Sequence, residues 1–65
     1  MTVEELAKGI IGLDTTLARY AIRALGFIPR VCRKDGKSAV ITMDYRLDRI
    51  NLDIMNGKVT KATIG

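Results

Sequence analysis

The feature that most constrains the fold of this chain is a regular alternation that runs into Asn56-Gly57. In residues 49–55 every second side chain is a large aliphatic one, which is the period of a half-buried β-strand. These side chains are Ile50, Leu52 and Ile54. Asn-Gly is a strong hairpin signal, because both residues tolerate the positive φ of a two-residue turn. The pattern therefore predicts a strand Arg49–Met55, a tight turn and a return strand Lys58–Ile64.

The N-terminal segment, residues 1–12, carries the signals of a short helix. Thr2 and Glu5 have the spacing of a capping box, in which a hydroxyl and a carboxylate satisfy free amides at the helix start. The two glycines that follow, Gly9 and Gly12, favour its end. We expect one domain, with this helix preceding a core formed by residues 13–65.

A second helix is predicted from Thr15 to about Leu25. Asp14 is a favoured N-cap residue, and Gly26 suits the left-handed position that closes a helix. Apolar residues fall on one face and arginines on the other, the pattern of a helix lying on a sheet. The apolar face comprises Leu17, Ala18, Ala21, Ile22 and Leu25.

A further strand is predicted at Ile28–Arg33. Pro29 lacks an amide donor, which places it at a strand start or a sheet edge. Residues 34–37 form a turn or the start of a wider loop. The long connection from there to Arg49 leaves room for a crossover that makes the two strands parallel. The expected fold is α+β, with one main helix on a small mixed sheet that combines a parallel central pair and a C-terminal hairpin.

Composition excludes several classes of function. The chain has 65 residues, no histidine and one cysteine, Cys32, so it cannot form an internal disulfide. Histidine is the commonest metal ligand and general base, and we therefore expect no metal site, no cofactor and no enzymatic activity. We interpret Cys32 as a small apolar residue in or beside the sheet.

Targeting signals are also lacking in the sequence. It shows neither a signal-peptide pattern nor an apolar run near the roughly 18 residues of a membrane span. We expect no membrane association and a monomer or weak homo-oligomer. The compartment stays open between the cytoplasm and secretion after removal of a leader.

The net charge of +4 raises the question of nucleic-acid binding. The basic residues are scattered along the chain without a dense block. Only Tyr20, Phe27 and Tyr45 could stack on bases, and they do not alternate with the charges. A solvated basic surface is the better interpretation, and nucleic-acid binding is kept as the less favoured alternative.

The segment from residue 42 to 48 is polar apart from Met43 and Leu47, although Ala39-Val40-Ile41 before it has a strand-like composition. Arginines and aspartates surround Met43, which indicates a loop that displays one flexible apolar side chain between charged braces. Such a loop suits a protein held in another protein's pocket. The alternative is a turn with ordinary surface ion pairs, each contributing about 0–1 kcal/mol.

The run Thr42-Met43-Asp44-Tyr45-Arg46-Leu47-Asp48-Arg49-Ile50-Asn51 resembles the potato inhibitor I family of serine-protease inhibitors. It is most similar to the bacterial and fungal elastase-inhibitor-like relatives. The predicted order of helix, strand, exposed loop, parallel strand and short last strand also matches that family. The resemblance extends from Gly12 to Gly65.

This resemblance implies that Met43–Asp44 is a reactive-site bond in an extended, exposed loop. Protease-contacting positions would be Val40, Ile41, Thr42, Tyr45 and Arg46. Arg49 would support the loop by bonding to Asp44 and Thr42, and Asn51 stands where some members carry a second arginine. The implied partner is a chymotrypsin-, elastase- or subtilisin-like serine protease, whose pocket accepts a methionine.

A second hypothesis keeps the scaffold but not the activity. The chain would then be a non-inhibitory interaction protein, whose partner is either nucleic acid bound to its basic surface or a second copy of the chain.

Overall fold

A computed structural model describes residues 3–65, which form two helices and four strands. The elements are α1 (Val3–Ile10), α2 (Thr15–Ala24), β1 (Ile28–Lys34), β2 (Lys37–Ser38), β3 (Arg49–Met55) and β4 (Lys58–Ile64). The sheet order is β2-β1-β3-β4, with β1 and β3 parallel and the other two pairs antiparallel. The predicted α+β fold with a mixed sheet is confirmed.

The hairpin of β3 and β4 has the predicted bounds. Its turn residues have positive φ, 53° at Asn56 and 77° at Gly57, as a two-residue turn between twisted strands requires. The aliphatic face of β3 is buried, with Ile50 and Leu52 fully inaccessible to solvent. This face forms the centre of the core, and its polar neighbours point to the other side of the sheet.

Helix α2 begins where predicted, and the Asp14 carboxylate accepts a hydrogen bond of 2.9 Å from the Thr16 amide. The predicted apolar face is only partly correct. Ala18 and Ile22 are fully buried, whereas Leu17 and Leu25 are exposed. Residues 18 and 22 lie one turn apart and define the line of contact; Leu17 is rotated by about 100° from that line, and Leu25 lies past the last helical residue.

Helix α1 contributes to the same core, which the prediction of one main helix did not anticipate. Leu6 and Ile10 are both buried among the core residues of the sheet and α2. The helix continues through Gly9 to Ile10, and Gly12 follows with φ of 87°. The predicted cap at Thr2 lies outside the described residues.

Strand β1 runs parallel to β3, as the long connection predicted. Pro29 lies near the start of β1. The neighbouring strand β2 pairs only with Arg33 and Lys34, so it requires no amide donor at residue 29. The register shifts between Val31 and Arg33, which leaves half-buried Cys32 in a bulge. The segment after β1 is a tight turn followed by the short strand β2, a strand that the sequence did not predict.

Residues 39–48, called the β2–β3 loop below, contain neither helix nor strand. The strand-like composition of residues 39–41 therefore does not produce a strand. Within the part of the chain that the structure describes, the one backbone hydrogen bond from residues 39–41 to the sheet is that of the Ala39 amide to the Cys32 carbonyl, at 2.9 Å. The loop spans the crossover between the two parallel strands.

Neither helix of the described chain combines the length and the apolar character that crossing a membrane requires.

Candidate functional site

The β2–β3 loop displays apolar side chains to solvent. The exposed ones are Val40, Ile41, Met43, Tyr45 and Leu47. Met43 is 94 % exposed, close to the limit for a side chain that touches nothing. Clustered exposed apolar residues mark interaction sites more often than isolated ones do. The loop is therefore the candidate site.

Arg49 holds the part of the loop that follows Met43. Its Nη2 donates to the backbone carbonyl of Asp44 at 2.6 Å, and its Nη1 lies 3.5 Å from the Asp44 carboxylate. The side chain of Arg49 is only 9 % exposed, whereas that of Asp44 is 53 % exposed. At 2.6 Å the bond to the carbonyl is the stronger contact, and the carboxylate pair at 3.5 Å is a weaker addition.

Arg30, on β1, holds the part of the loop that precedes Met43. Its Nη1 donates to the Thr42 hydroxyl at 3.2 Å and lies 3.4 Å from the Thr42 carbonyl oxygen. Its Nε donates to the Asn51 side-chain oxygen at 2.9 Å. The expectation that Arg49 bonds to Thr42 is therefore wrong, because Arg30 occupies that position and Asn51 acts on the loop through Arg30.

Thr42 and Asp44 also interact across Met43. A hydrogen bond from the Thr42 hydroxyl lowers the pKa of the Asp44 carboxyl below its ordinary value of 3.8, assisted by the Asp44 backbone amide and by Arg49. The Thr42 hydroxyl also accepts the bond from Arg30. The contacts of Arg30 with Thr42 and of Arg49 with Asp44 therefore form a network on the two sides of Met43.

The backbone of Gly65 holds the guanidinium of Arg49 in place. Its carbonyl oxygen accepts bonds of 2.7 Å from Nη2 and 3.2 Å from Nε of Arg49. The same oxygen accepts the Arg46 amide at 3.0 Å, and the Gly65 amide donates to the Arg49 carbonyl at 3.0 Å. The guanidinium of Arg49 is therefore aimed at Asp44 by a buried backbone group at the end of β4.

The side chain of Arg46 lies outside this network. It makes a two-pronged pair with Asp48, with Nε–Oδ1 of 2.9 Å and Nη2–Oδ2 of 2.8 Å. That hydrogen bonding lowers the pKa of Asp48 below 3.8. Both side chains are about half exposed, at 48 % and 49 %, so the pair stiffens the loop at its surface but remains open to solvent.

Sequence reasoning placed Asp44, Arg49 and Asn51 in this network, with Met43 displayed beside it, but missed Arg30 and Gly65. Arg30 is the direct register partner of Asn51, but the prediction of parallel strands did not include their register. Gly65 could not be found from a motif, because it contributes only backbone atoms. The remaining predicted contact residues, Val40, Ile41, Thr42, Tyr45 and Arg46, all lie in the exposed loop.

Comparison with protein-family models, with curated proteins and with solved structures finds no match to this chain. Among the described residues, no group of three cysteine, aspartate or glutamate side chains is positioned to hold a metal ion.

Proposed function

We propose that the protein inhibits serine proteases by substrate-like binding of the loop around Met43–Asp44. The observation that carries the proposal is a contrast within three residues. Met43 is 94 % exposed, while Thr42 and Asp44 on either side are bonded to arginines of the sheet. An apolar side chain is thus presented on a backbone that is fixed on both sides.

This arrangement meets two requirements of such an inhibitor. A serine protease recognises an extended segment through its backbone and through the side chain that enters its main pocket. A loop that is already ordered loses little conformational entropy on binding. The network of Arg30, Thr42, Asp44 and Arg49 supplies that order without a disulfide.

Retention of the loop ends after attack is the second requirement. If the bond between Met43 and Asp44 is cut, both new ends must stay close for religation to compete with hydrolysis. The part-buried bond from Arg49 to the Asp44 carbonyl contributes on the order of 1.5–3 kcal/mol toward this, the range for hydrogen bonds to charged groups.

Met43 determines the class of target. Its unbranched apolar side chain suits the pockets of chymotrypsin-, elastase- and subtilisin-like enzymes. A trypsin-like pocket contains an aspartate and requires a basic side chain. The target is therefore a serine protease that prefers apolar residues.

The test is a panel of chymotrypsin, elastase, subtilisin and trypsin, titrated with the intact protein. We expect stoichiometric inhibition of at least one of the first three and slow cleavage confined to Met43–Asp44, located by mass spectrometry. Met43→Lys should shift the preference to trypsin, because the lysine meets the pocket aspartate.

Leu47→Lys is the matched control, because Leu47 is another exposed apolar residue of the same loop. It should leave the preference unchanged. Absence of inhibition of all four enzymes at micromolar concentration would refute the proposed function.

A further inference from the structure

Arg30 differs from the other arginines that the structure describes on the exposed part of the sheet. It is half-buried, and its Nε is bonded to Asn51 on the neighbouring strand. Arg33, on the same strand, is exposed and makes one long bond of 3.4 Å to Ser38. The guanidinium of Arg30 is thus oriented by a fixed partner, while that of Arg33 is not.

The orientation has a geometric result. Bonding of Nε to Asn51 directs the opposite edge of the guanidinium fork towards the loop, where Nη1 meets both the hydroxyl and the carbonyl of Thr42. Because the fork is planar and rigid, fixing one edge fixes the other. Thr42 is therefore positioned from β1, whereas Asp44 is positioned from β3 by Arg49.

We propose that Arg30 is a positioning residue that holds the acyl-side half of the reactive loop on β1, separately from the amine-side half that Arg49 holds on β3. This inference rests on the proposed function for its effect on inhibition. Its structural content, a loop fixed by two different strands on the two sides of one peptide bond, can be measured without a protease.

The two arginines then act at different stages. On attack, the protease serine oxygen bonds to the Met43 carbonyl carbon, the carbon–nitrogen bond breaks, and the serine proton is passed to the Asp44 nitrogen. The Met43 side is now covalently attached to the protease. The Asp44 side is held by Arg49, so Arg49 controls religation.

Arg30 acts before attack. It keeps Thr42 and Met43 in the bound conformation in the free protein and so lowers the ordering cost of association. Its removal should weaken inhibition by on the order of tenfold, the equivalent of one net hydrogen bond, with a small effect on the cleavage rate. Removal of Arg49 should instead accelerate cleavage.

The experiment measures ¹⁵N order parameters of the loop amides and inhibition of the most sensitive protease in the panel. In Arg30→Ala we expect the order parameters of Thr42 and Met43 to fall from about 0.85 to below about 0.6, with Asp44 unchanged. Inhibition should weaken about tenfold. Arg30→Lys, which cannot bond Asn51 and Thr42 with a rigid fork, should give intermediate values.

Arg33→Ala is the matched control, since it removes the same charge from the same strand at a side chain whose hydrogen bond goes to Ser38 of β2 and not to Thr42. It should leave the order parameters and inhibition unchanged. Equal loosening in Arg33→Ala and Arg30→Ala, or a rigid Thr42 in Arg30→Ala, overturns the inference.

The measurements also separate the two proposals. If Arg30→Ala loosens Thr42 and Met43 selectively while the unaltered protein inhibits no protease, the positioning role stands and the proposed function fails. Amide spectra of β1 and β3 verify that each variant is folded. Loosening that extends to Asp44 and into β3 counts against separate control of the two halves.

Discussion

The core around β3 and the β2–β3 loop are stabilised by different physical interactions. Ile50 and Leu52 are fully buried, and their contribution comes from apolar area removed from water. Every residue from 39 to 47 is exposed, so burial cannot fix the loop. Directional bonds from arginines fix it instead. The loop and the core should therefore respond to different substitutions.

The largest effect is expected from Leu52→Ala. Leu52 is 0 % exposed, and truncating such a side chain costs about 2–5 kcal/mol through lost burial and a residual cavity. The free energy of unfolding, measured by urea titration, should fall by that amount. Inhibition by the fraction that remains folded should be unchanged, because the loop contacts do not involve Leu52. Loss of loop order in the folded variant would show that core and loop are coupled.

Arg49→Met should have a smaller effect on stability and a large effect on the loop. It keeps an unbranched chain in the buried space but removes the donors to Asp44 and Gly65. We expect a loss of roughly 1.5–3 kcal/mol in the free energy of unfolding. Cleavage at Met43–Asp44, followed by mass spectrometry, should accelerate.

Arg46→Met is the control for that substitution. Its half-exposed pair with Asp48 should contribute little to the free energy of unfolding, and cleavage should stay slow. Equal effects of the two substitutions would remove the distinction between shielded and surface arginines.

The smallest effect is expected from pH. Because the hydrogen bond from Thr42 lowers the pKa of folded Asp44, ionised Asp44 stabilises the native loop fully at pH values above 3.8. This contribution is lost as the pH falls through the lower, folded-state pKa. NMR titration of the Asp44 carboxyl should show a midpoint below 3.8, with loosening of Thr42 over the same range.

Asp48 titrates in the same direction and supplies the control. In Asp44→Asn the order of Thr42 should no longer change with pH over this range, whereas in Asp48→Asn the pH-dependent loosening of Thr42 should remain. A midpoint of Asp44 at or above 3.8 would contradict the contact between Thr42 and Asp44.

The sequence predicted best those elements whose signals are local. Period-2 alternation and Asn56-Gly57 specify the hairpin of β3 and β4, and Asp14 specifies the start of α2. Leu17 was misassigned because the pattern of a helix defines an apolar face but not the line along which the sheet meets it. That line is set by the tertiary contact at Ala18 and Ile22.

The candidate site was predictable on one strand and not on the other. Arg49 lies five residues beyond Asp44, so a local motif includes both. Arg30 is twelve residues before Thr42 and reaches it only because parallel pairing aligns Arg30 with Asn51. Register between distant strands depends on the whole core, and a single sequence does not specify it.

Gly65 makes the two halves of the loop sensitive to one backbone position. Its φ is +144°, and a Cβ there would lie 3.0 Å from Nδ2 of Asn51 and 3.5 Å from the Tyr45 ring. Displacement of Asn51 would weaken its hydrogen bond with Arg30, and a shift of the Gly65 carbonyl would weaken its hydrogen bonds with Arg49. The positions of Arg30 and of Arg49 therefore both depend on the lack of a side chain at residue 65, although the two arginines hold different halves of the loop.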